Sequence, residues 1–146
     1  MKKWRRFTTG GMRRKKGVVV DWFEKELISR IGELRPGGKI LDIGCGSGNH
    51  LLFFRKRNMK TIGLDISLPM LRVAQNKVGE RSGLCLGRAE ALPFKADCFG
   101  CVSLITTLEF EEDPLKALQE MVRVSRDKIL LGILNKYEYN FLSVSF

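Results

Sequence analysis

One run of nine residues, Ile40-Leu41-Asp42-Ile43-Gly44-Cys45-Gly46-Ser47-Gly48, determines how the rest of this chain is interpreted. Residues 39–43 form an apolar segment that is too short for a helix and suits a strand buried on both faces. Glycine in the following loop allows unusual backbone angles and lets a ligand approach the main chain without a Cβ in the way. The pattern therefore predicts a strand whose carboxyl end leads into a ligand-binding loop.

Helix-like and strand-like segments alternate along the rest of the chain. Apolar residues at spacings of three and four predict a helix over 19–34, which Arg35-Pro36-Gly37-Gly38 ends. Ser67 and Asp113 are predicted to cap two later helices at their N-termini. The predicted strands cover 39–43, 60–64, 84–87, 101–105 and 128–133, and a further predicted helix covers 49–57. This alternation predicts a doubly wound α/β domain with a mostly parallel sheet of about five strands.

The composition, with 44% hydrophobic and 29% charged residues among 146, is that of an ordinary globular domain. No apolar run approaches the roughly 18 residues of a membrane-spanning helix, and no apolar signal-peptide region follows the basic start. We therefore expect a soluble, cytoplasmic protein that does not use a membrane. The four cysteines are expected to be reduced, and a lone Cys98-Phe99-Gly100-Cys101 pair with a single histidine predicts no metal site.

Positive charge is concentrated at the N-terminus. The formal net charge is +10, and eight lysines and arginines precede the first acidic residue. We divide the chain into a basic tail, residues 1–17, and a ligand-binding domain, residues 18–146. The tail could attract nucleic acid, an anionic membrane surface or an acidic substrate, or it could be a solvated terminus with poor order.

An acidic residue in the second predicted strand narrows the choice of ligand. Asp65 follows Gly44 by 21 residues and ends that strand, where a carboxylate can accept hydrogen bonds from both hydroxyls of a ribose. A dinucleotide-binding loop would read G-x-G-x-x-G, but its third glycine is replaced here by Asn49. An adenosine-containing ligand is therefore expected, and the NAD alternative is weakened.

Four segments, in this order and spacing, resemble the class I S-adenosylmethionine-dependent methyltransferases, particularly the group similar to ubiquinone and menaquinone biosynthesis methyltransferases. They are Ile40–Gly48, Gly63–Ser67 with Met70, Gly87–Phe94 and Leu104–Pro114. The resemblance covers residues 20–134. It implies a Rossmann-like fold, S-adenosylmethionine as cofactor and transfer of a methyl group.

The resemblance also implies roles for residues at the first two of these segments. Gly44, Cys45 and Gly46 would border the methionine half of the cofactor. Asp42 would order the loop and help to receive the ammonium group of the methionine. Asp65 would hold the ribose.

The adenine and the sulfonium would be bordered by residues further along the chain. Ile66 and Met70 would flank the adenine, and Ala89 with Glu90 would close the adenine pocket. Thr106 would lie beside the sulfonium, at the end of the fourth predicted strand. Each of these residues could instead serve packing or capping alone.

A dedicated acid or base is optional, because methyl transfer from a sulfonium is an in-line displacement that mainly needs alignment and the exclusion of water. Glu109 is the catalytic candidate, since it stands where the family often carries histidine and a carboxylate could remove a substrate proton. The alternative is a solvent-exposed loop acid beside Glu111 and Glu112. His50, in the first turn after the glycine loop, is expected to pack or to face solvent.

The chain departs from the family pattern in three places. Gly100 replaces an aspartate, and Arg88 occupies a position that is often acidic near the adenine amino group. The family's sheet usually has seven strands, whereas residues 135–146 are too few for another helix and a hairpin. We therefore expect the last two strands to be missing. Either the exposed edge packs against another chain, such as a second copy in a dimer, or the gene product is truncated.

Three functions remain open. The first is methyl transfer to a small organic acceptor. The second keeps this chemistry but directs it at RNA recruited by residues 1–16. The third is a cofactor-binding or inactive module that serves a protein partner.

Overall fold

The computed structural model describes residues 3–8, 17–134 and 139–146. Its seven strands are β1 (Lys3–Thr8), β2 (Lys39–Ile43), β3 (Lys60–Asp65), β4 (Gly83–Leu86), β5 (Phe99–Ile105), β6 (Ser125–Leu134) and β7 (Tyr139–Ser145). Its α-helices are α1 (Gly17–Gly32), α2 (Asn49–Arg55), α3 (Leu68–Val78) and α4 (Pro114–Val124).

One sheet contains all seven strands, in the order β1-β7-β6-β5-β2-β3-β4. Strands β2 to β6 run parallel, and β2 lies between β3 and β5. Strand order therefore reverses beside β2, whose carboxyl end carries the glycine loop. The doubly wound, mostly parallel α/β fold predicted from the sequence is confirmed.

The predicted helix caps form as expected. The side chain of Ser67 accepts a hydrogen bond from the amide of Met70, and Asp113 accepts one from the amide of Lys116 at 3.0 Å. Each cap satisfies an amide that a helix N-terminus leaves without an intrahelical partner. These caps fix where the two helices begin: α3 starts directly after β3, and α4 starts after the loop that follows β5.

Side chains of β2 alternate between the two faces of the sheet, and helices cover both faces. Ile40 packs with Leu27 and Ile28 of α1 and with Phe54 of α2. Leu41 belongs to the cluster on the opposite face, which contains the apolar side of α4. Because alternate residues of a strand share a face, Asp42 lies on the α1 and α2 side of the sheet.

The C-terminal segment corrects one expectation. Strand β7 pairs antiparallel with β6, and β1 pairs antiparallel with β7, so the chain itself covers the edge of β6. Phe141 is 1% exposed, and its ring lies so close to Gly132 that a Cβ there would come within 2.8 Å of it. Residues 135–146 are too short for a helix and a hairpin but long enough for one returning strand.

Part of the basic N-terminal segment is also a strand rather than a loose tail. Lys3–Thr8 forms β1, with Phe7 opposite Phe141 in the register. The cations at positions 2 and 13–16, like Tyr137, lie outside the described residues. Within the described parts of the chain, no helix has the length and apolar character needed to cross a membrane.

Candidate cofactor-binding site

A cleft of about 290 Å³ opens where the carboxyl ends of β2, β3 and β5 meet the loop after β4. Five of the residues predicted to bind the cofactor line it: Gly44, Asp65, Ile66, Ala89 and Thr106. In an open α/β sheet, ligands bind at this edge, beside the point where strand order reverses. The cleft therefore lies where the sequence predicted the site.

The glycine loop needs glycine for two different reasons. Gly44, Gly46 and Gly48 have φ angles of 68°, 51° and 83°, which L-residues with side chains rarely adopt. A Cβ on Gly44 would also lie 2.3 Å from the side chain of Thr107, whereas one on Gly46 would meet nothing within 4 Å. Gly44 is thus packed against β5's end, while the backbone at Gly46 is open to an approaching ligand.

Asp65 anchors this loop. Its Oδ2 accepts a hydrogen bond from the amide of Gly46 and its Oδ1 accepts one from the amide of Ser67, both at 2.8 Å. Each carboxylate oxygen has a second lone pair, so Asp65 can hold the loop and still accept from a ligand hydroxyl. The ribose role and a structural role are therefore compatible.

Asp42 is buried beside the loop, with 1% of its surface exposed. Its Oδ1 accepts a hydrogen bond from the hydroxyl of Ser103 at 2.6 Å, and its Oδ2 has no hydrogen-bond partner among the described residues. Burial raises the pKa of Asp42. A buried acceptor without a donor is costly, so this carboxylate suits a cationic ligand group such as an ammonium.

His50 packs in this buried region, which is one of the two outcomes expected from the sequence, but its acidic partner was not predicted. Its Nε2 lies 3.5 Å from Oε2 of Glu24, a residue of α1 that is itself buried. Burial alone would lower the pKa of His50, but the contact with Glu24 and the charge of Asp42 outweigh it and raise the pKa. The pairing depends on how α1 docks, so no local sequence signal could have revealed it.

The expected adenine residues differ in their surroundings. Ile66 is 65% exposed at the cleft wall, where it could cover a flat base, and Met70 is also exposed but lies outside the wall. Cys45 is buried, and burial raises the pKa of its thiol far above the usual range, so it is not a reactive thiol.

Glu90 does not line the cleft; it lies behind the wall and contacts residues of the surrounding loops. It is buried, and its Oε1 lies 3.5 Å from both the amide of Asp113 and the guanidinium of Arg88. Hydrogen bonds from its own amide and from that of Asp113 hold the pKa of Glu90 below its usual value. Arg88 also donates to Glu112 at 2.8 Å, which gives this unusual cation two acidic neighbours.

Glu111 lines the cleft together with Asp65 and Glu112, whereas the catalytic candidate Glu109 does not. Glu109 is exposed in a short 3-10 turn and does not line the cleft, whereas Glu111 is half-buried in its wall. Burial and the neighbouring Glu90 raise the pKa of Glu111. The short turn thus places Glu111, and not the predicted candidate Glu109, in the wall of the cleft.

A larger groove, of about 410 Å³, lies at the opposite edge of the sheet. Lys39, Arg55, Lys60 and Arg81 are among its lining residues. Cations are expected at this edge, because the C-termini of helices end here, and Arg55 donates to the carbonyl of Val78 at the end of α3. The groove is remote from the glycine loop, and we do not assign the cofactor to it.

Comparison with known proteins identifies the family. A sequence model described as a methyltransferase domain matches residues 41–131, which include the glycine loop, Asp65 and the cleft wall. The chain belongs to this methyltransferase family. Within the described residues, no group of three or more histidine, cysteine or acidic side chains could hold a metal ion.

Several relatives support this membership. An uncharacterized protein of Methanocaldococcus jannaschii is 38% identical over 79% of this chain and 57% of its own length. A demethylmenaquinone methyltransferase of Lactiplantibacillus plantarum is 34% identical over 70% of this chain and 46% of its own. The chain thus spans about half the length of these curated relatives.

A solved structure shows the same fold. The YcgJ protein of Bacillus subtilis superposes with a TM-score of 0.71 at 30% identity, covering 77% of this chain and 50% of that one. Family and fold together imply the use of S-adenosylmethionine.

Proposed function

We propose that this domain binds S-adenosylmethionine in the cleft and transfers its methyl group to a small organic acceptor. The observation that carries the proposal is the glycine loop at the switch point, anchored through the Gly46 amide to Asp65. Oδ2 of Asp42 has no hydrogen-bond partner among the described residues, so it would accept a hydrogen bond from an ammonium group. Names of relatives, including demethylmenaquinone methyltransferase and malonyl-[acyl-carrier protein] O-methyltransferase, favour an organic acceptor.

Different residues of the cleft would bind different parts of the cofactor. The free lone pairs of Asp65 would accept from the ribose, Asp42 would receive the ammonium, and Ile66 with Ala89 would border the adenine. The bound sulfonium would supply an electrophilic methyl group. Thr106, at the end of β5, has a strained φ of 51° and would border the reacting centre.

Glu111 is the group best placed to handle a proton from the acceptor. A carboxyl group with a raised pKa is a stronger base when ionised than an ordinary exposed one. Like Thr106, which follows β5, Glu111 lines the cleft. An acceptor that must lose a proton before methylation would therefore depend on Glu111, and one that is already anionic would not.

Calorimetric titration with S-adenosylhomocysteine tests the binding half of the proposal. Asp65→Asn should weaken binding about tenfold to a hundredfold, because charged acceptors contribute more than neutral ones. Asp127→Asn, at an exposed position on β6, is the matched control and should leave binding unchanged. No detectable binding by folded wild-type protein would refute the proposal and favour a module without cofactor.

Recruitment of RNA is the second candidate, favoured by the eight cations among the first 16 residues. Because β1 pairs with β7, deleting the segment would also uncover the sheet, so Gln substitutions at Arg13, Arg14, Lys15 and Lys16 are the better test. RNA binding that falls steeply with salt and is lost on substitution would support this target. The absence of binding at low salt would exclude it.

A further inference from the structure

Three titratable side chains from three different elements lie on the same side of β2, behind the glycine loop. Glu24 comes from α1, Asp42 from β2 and His50 from α2, and all three are buried or nearly so. Oδ2 of Asp42 and Nε2 of His50 are both buried without a hydrogen-bond partner among the described residues. Two unsatisfied polar atoms in one buried cluster indicate a function beyond packing.

The charges of the cluster depend on one another. His50 lies between two acids, and its positive charge lowers the pKa of Asp42 against the effect of burial, which raises it. The other charged groups that face the cluster are Lys25 on α1 and Asp65 on β3. The charge of His50 therefore favours the ionised form of Asp42, and its loss would favour the protonated form.

We propose that His50 and Glu24 are positioning residues for the cofactor: their buried pair stands on the same side of β2 as Asp42, behind the glycine loop, and supports the Asp42 oxygen that receives the ammonium of the methionine half. This inference rests on the proposed function, since it assigns a role within the same site. Glu24 orients and neutralises His50, and His50 sets the charge of Asp42. The docking of α1 would therefore affect the binding of the amino-acid half of the cofactor but not the binding of its adenosine half.

Two ligands separate these halves. S-Adenosylhomocysteine carries the ammonium, whereas 5′-methylthioadenosine has the same adenosine and sulfur without the amino-acid group. His50→Gln should weaken S-adenosylhomocysteine about tenfold to a hundredfold and change 5′-methylthioadenosine less than about twofold. His50→Lys restores a cation and should recover much of the lost affinity.

The pH profile gives a second readout that a structural role would not produce. In His50→Gln, affinity for S-adenosylhomocysteine should rise more steeply with pH than in the wild type, because Asp42 must lose a proton without the help of a neighbouring cation. The wild type should depend less on pH, because the charge of His50 lowers the pKa of Asp42.

Arg57→Gln is the matched control for helix docking. Arg57 lies just beyond the other end of α2 and donates to the hydroxyl of Ser29 on α1 at 2.6 Å, so its loss loosens the same helix contact without touching the cluster. Equal weakening of both ligands by His50→Gln, or the same pattern in Arg57→Gln, would overturn the inference. Wild-type protein that bound neither ligand would instead refute the proposed function and with it this role.

Discussion

Replacing Gly44 by alanine tests whether the loop is built around a glycine at that position. The substitution forces an L-residue to a φ of 68°, which costs about 1–2 kcal/mol. The new Cβ would also lie 2.3 Å from Cγ2 and 2.8 Å from Cβ of Thr107. Thr107 cannot clear this contact by rotation, since its own Cβ is involved, and overpacking of this kind costs about 1–3 kcal/mol. We expect a total loss of about 2–5 kcal/mol in the free energy of unfolding.

Urea unfolding followed by circular dichroism measures this loss, and Gly37→Ala is the control. Gly37 has a φ of 83° but nothing within 4 Å of its Cβ position, so it isolates the backbone cost. Gly44→Ala should therefore be the more destabilising of the two by about 1–3 kcal/mol. If the two variants lost equal stability, the close packing between the loop and the end of β5 would be refuted.

Three further predictions concern other parts of the domain. Phe141→Ala should lower the free energy of unfolding by about 3–5 kcal/mol in urea, since the ring is buried over Gly132; a loss below 1 kcal/mol would mean that β7 does not cover β6. The raised pKa of Glu111 means that its ionisation destabilises the folded protein as pH rises. Glu111→Gln removes this penalty, so its effect on the free energy of unfolding should be more favourable at pH 8 than at pH 4. An equal effect at both pH values would contradict the contact with Glu90. The raised pKa of His50 stabilises the folded protein fully below about pH 6.5, and this stabilisation is lost as pH rises through the pKa of the folded state. His50→Gln should therefore lower the free energy of unfolding more at pH 6 than at pH 9. A loss of stability that did not depend on pH would argue against the ion pair with Glu24.

Much of the fold could be predicted from the sequence, because the patterns that indicate its strands, loops and helix caps involve only neighbouring residues. The apolar run at 39–43, the loop glycines and the caps Ser67 and Asp113 each depend on neighbouring residues. Parallel strands also bring their carboxyl ends to one edge, so Asp65 could be assigned to the same cleft as Gly44.

The parts that were missed depend on contacts distant in sequence. The pairing of Glu24 with His50 requires α1 to dock on the face of β2, and the cover over β6 requires β7 to return and pair antiparallel with it. Glu109 and Glu111 belong to one loop, and a short 3-10 turn decides which of these two acids lines the cleft. Periodicity does not encode such a turn.

A crystal structure with bound S-adenosylhomocysteine tests the central claim most directly. We predict ribose hydroxyls on Asp65, the methionine half against Gly44 and Gly46, and its ammonium on Oδ2 of Asp42. A ligand bound elsewhere, such as in the groove of Lys39 and Lys60, or one whose ribose does not contact Asp65, would contradict the account.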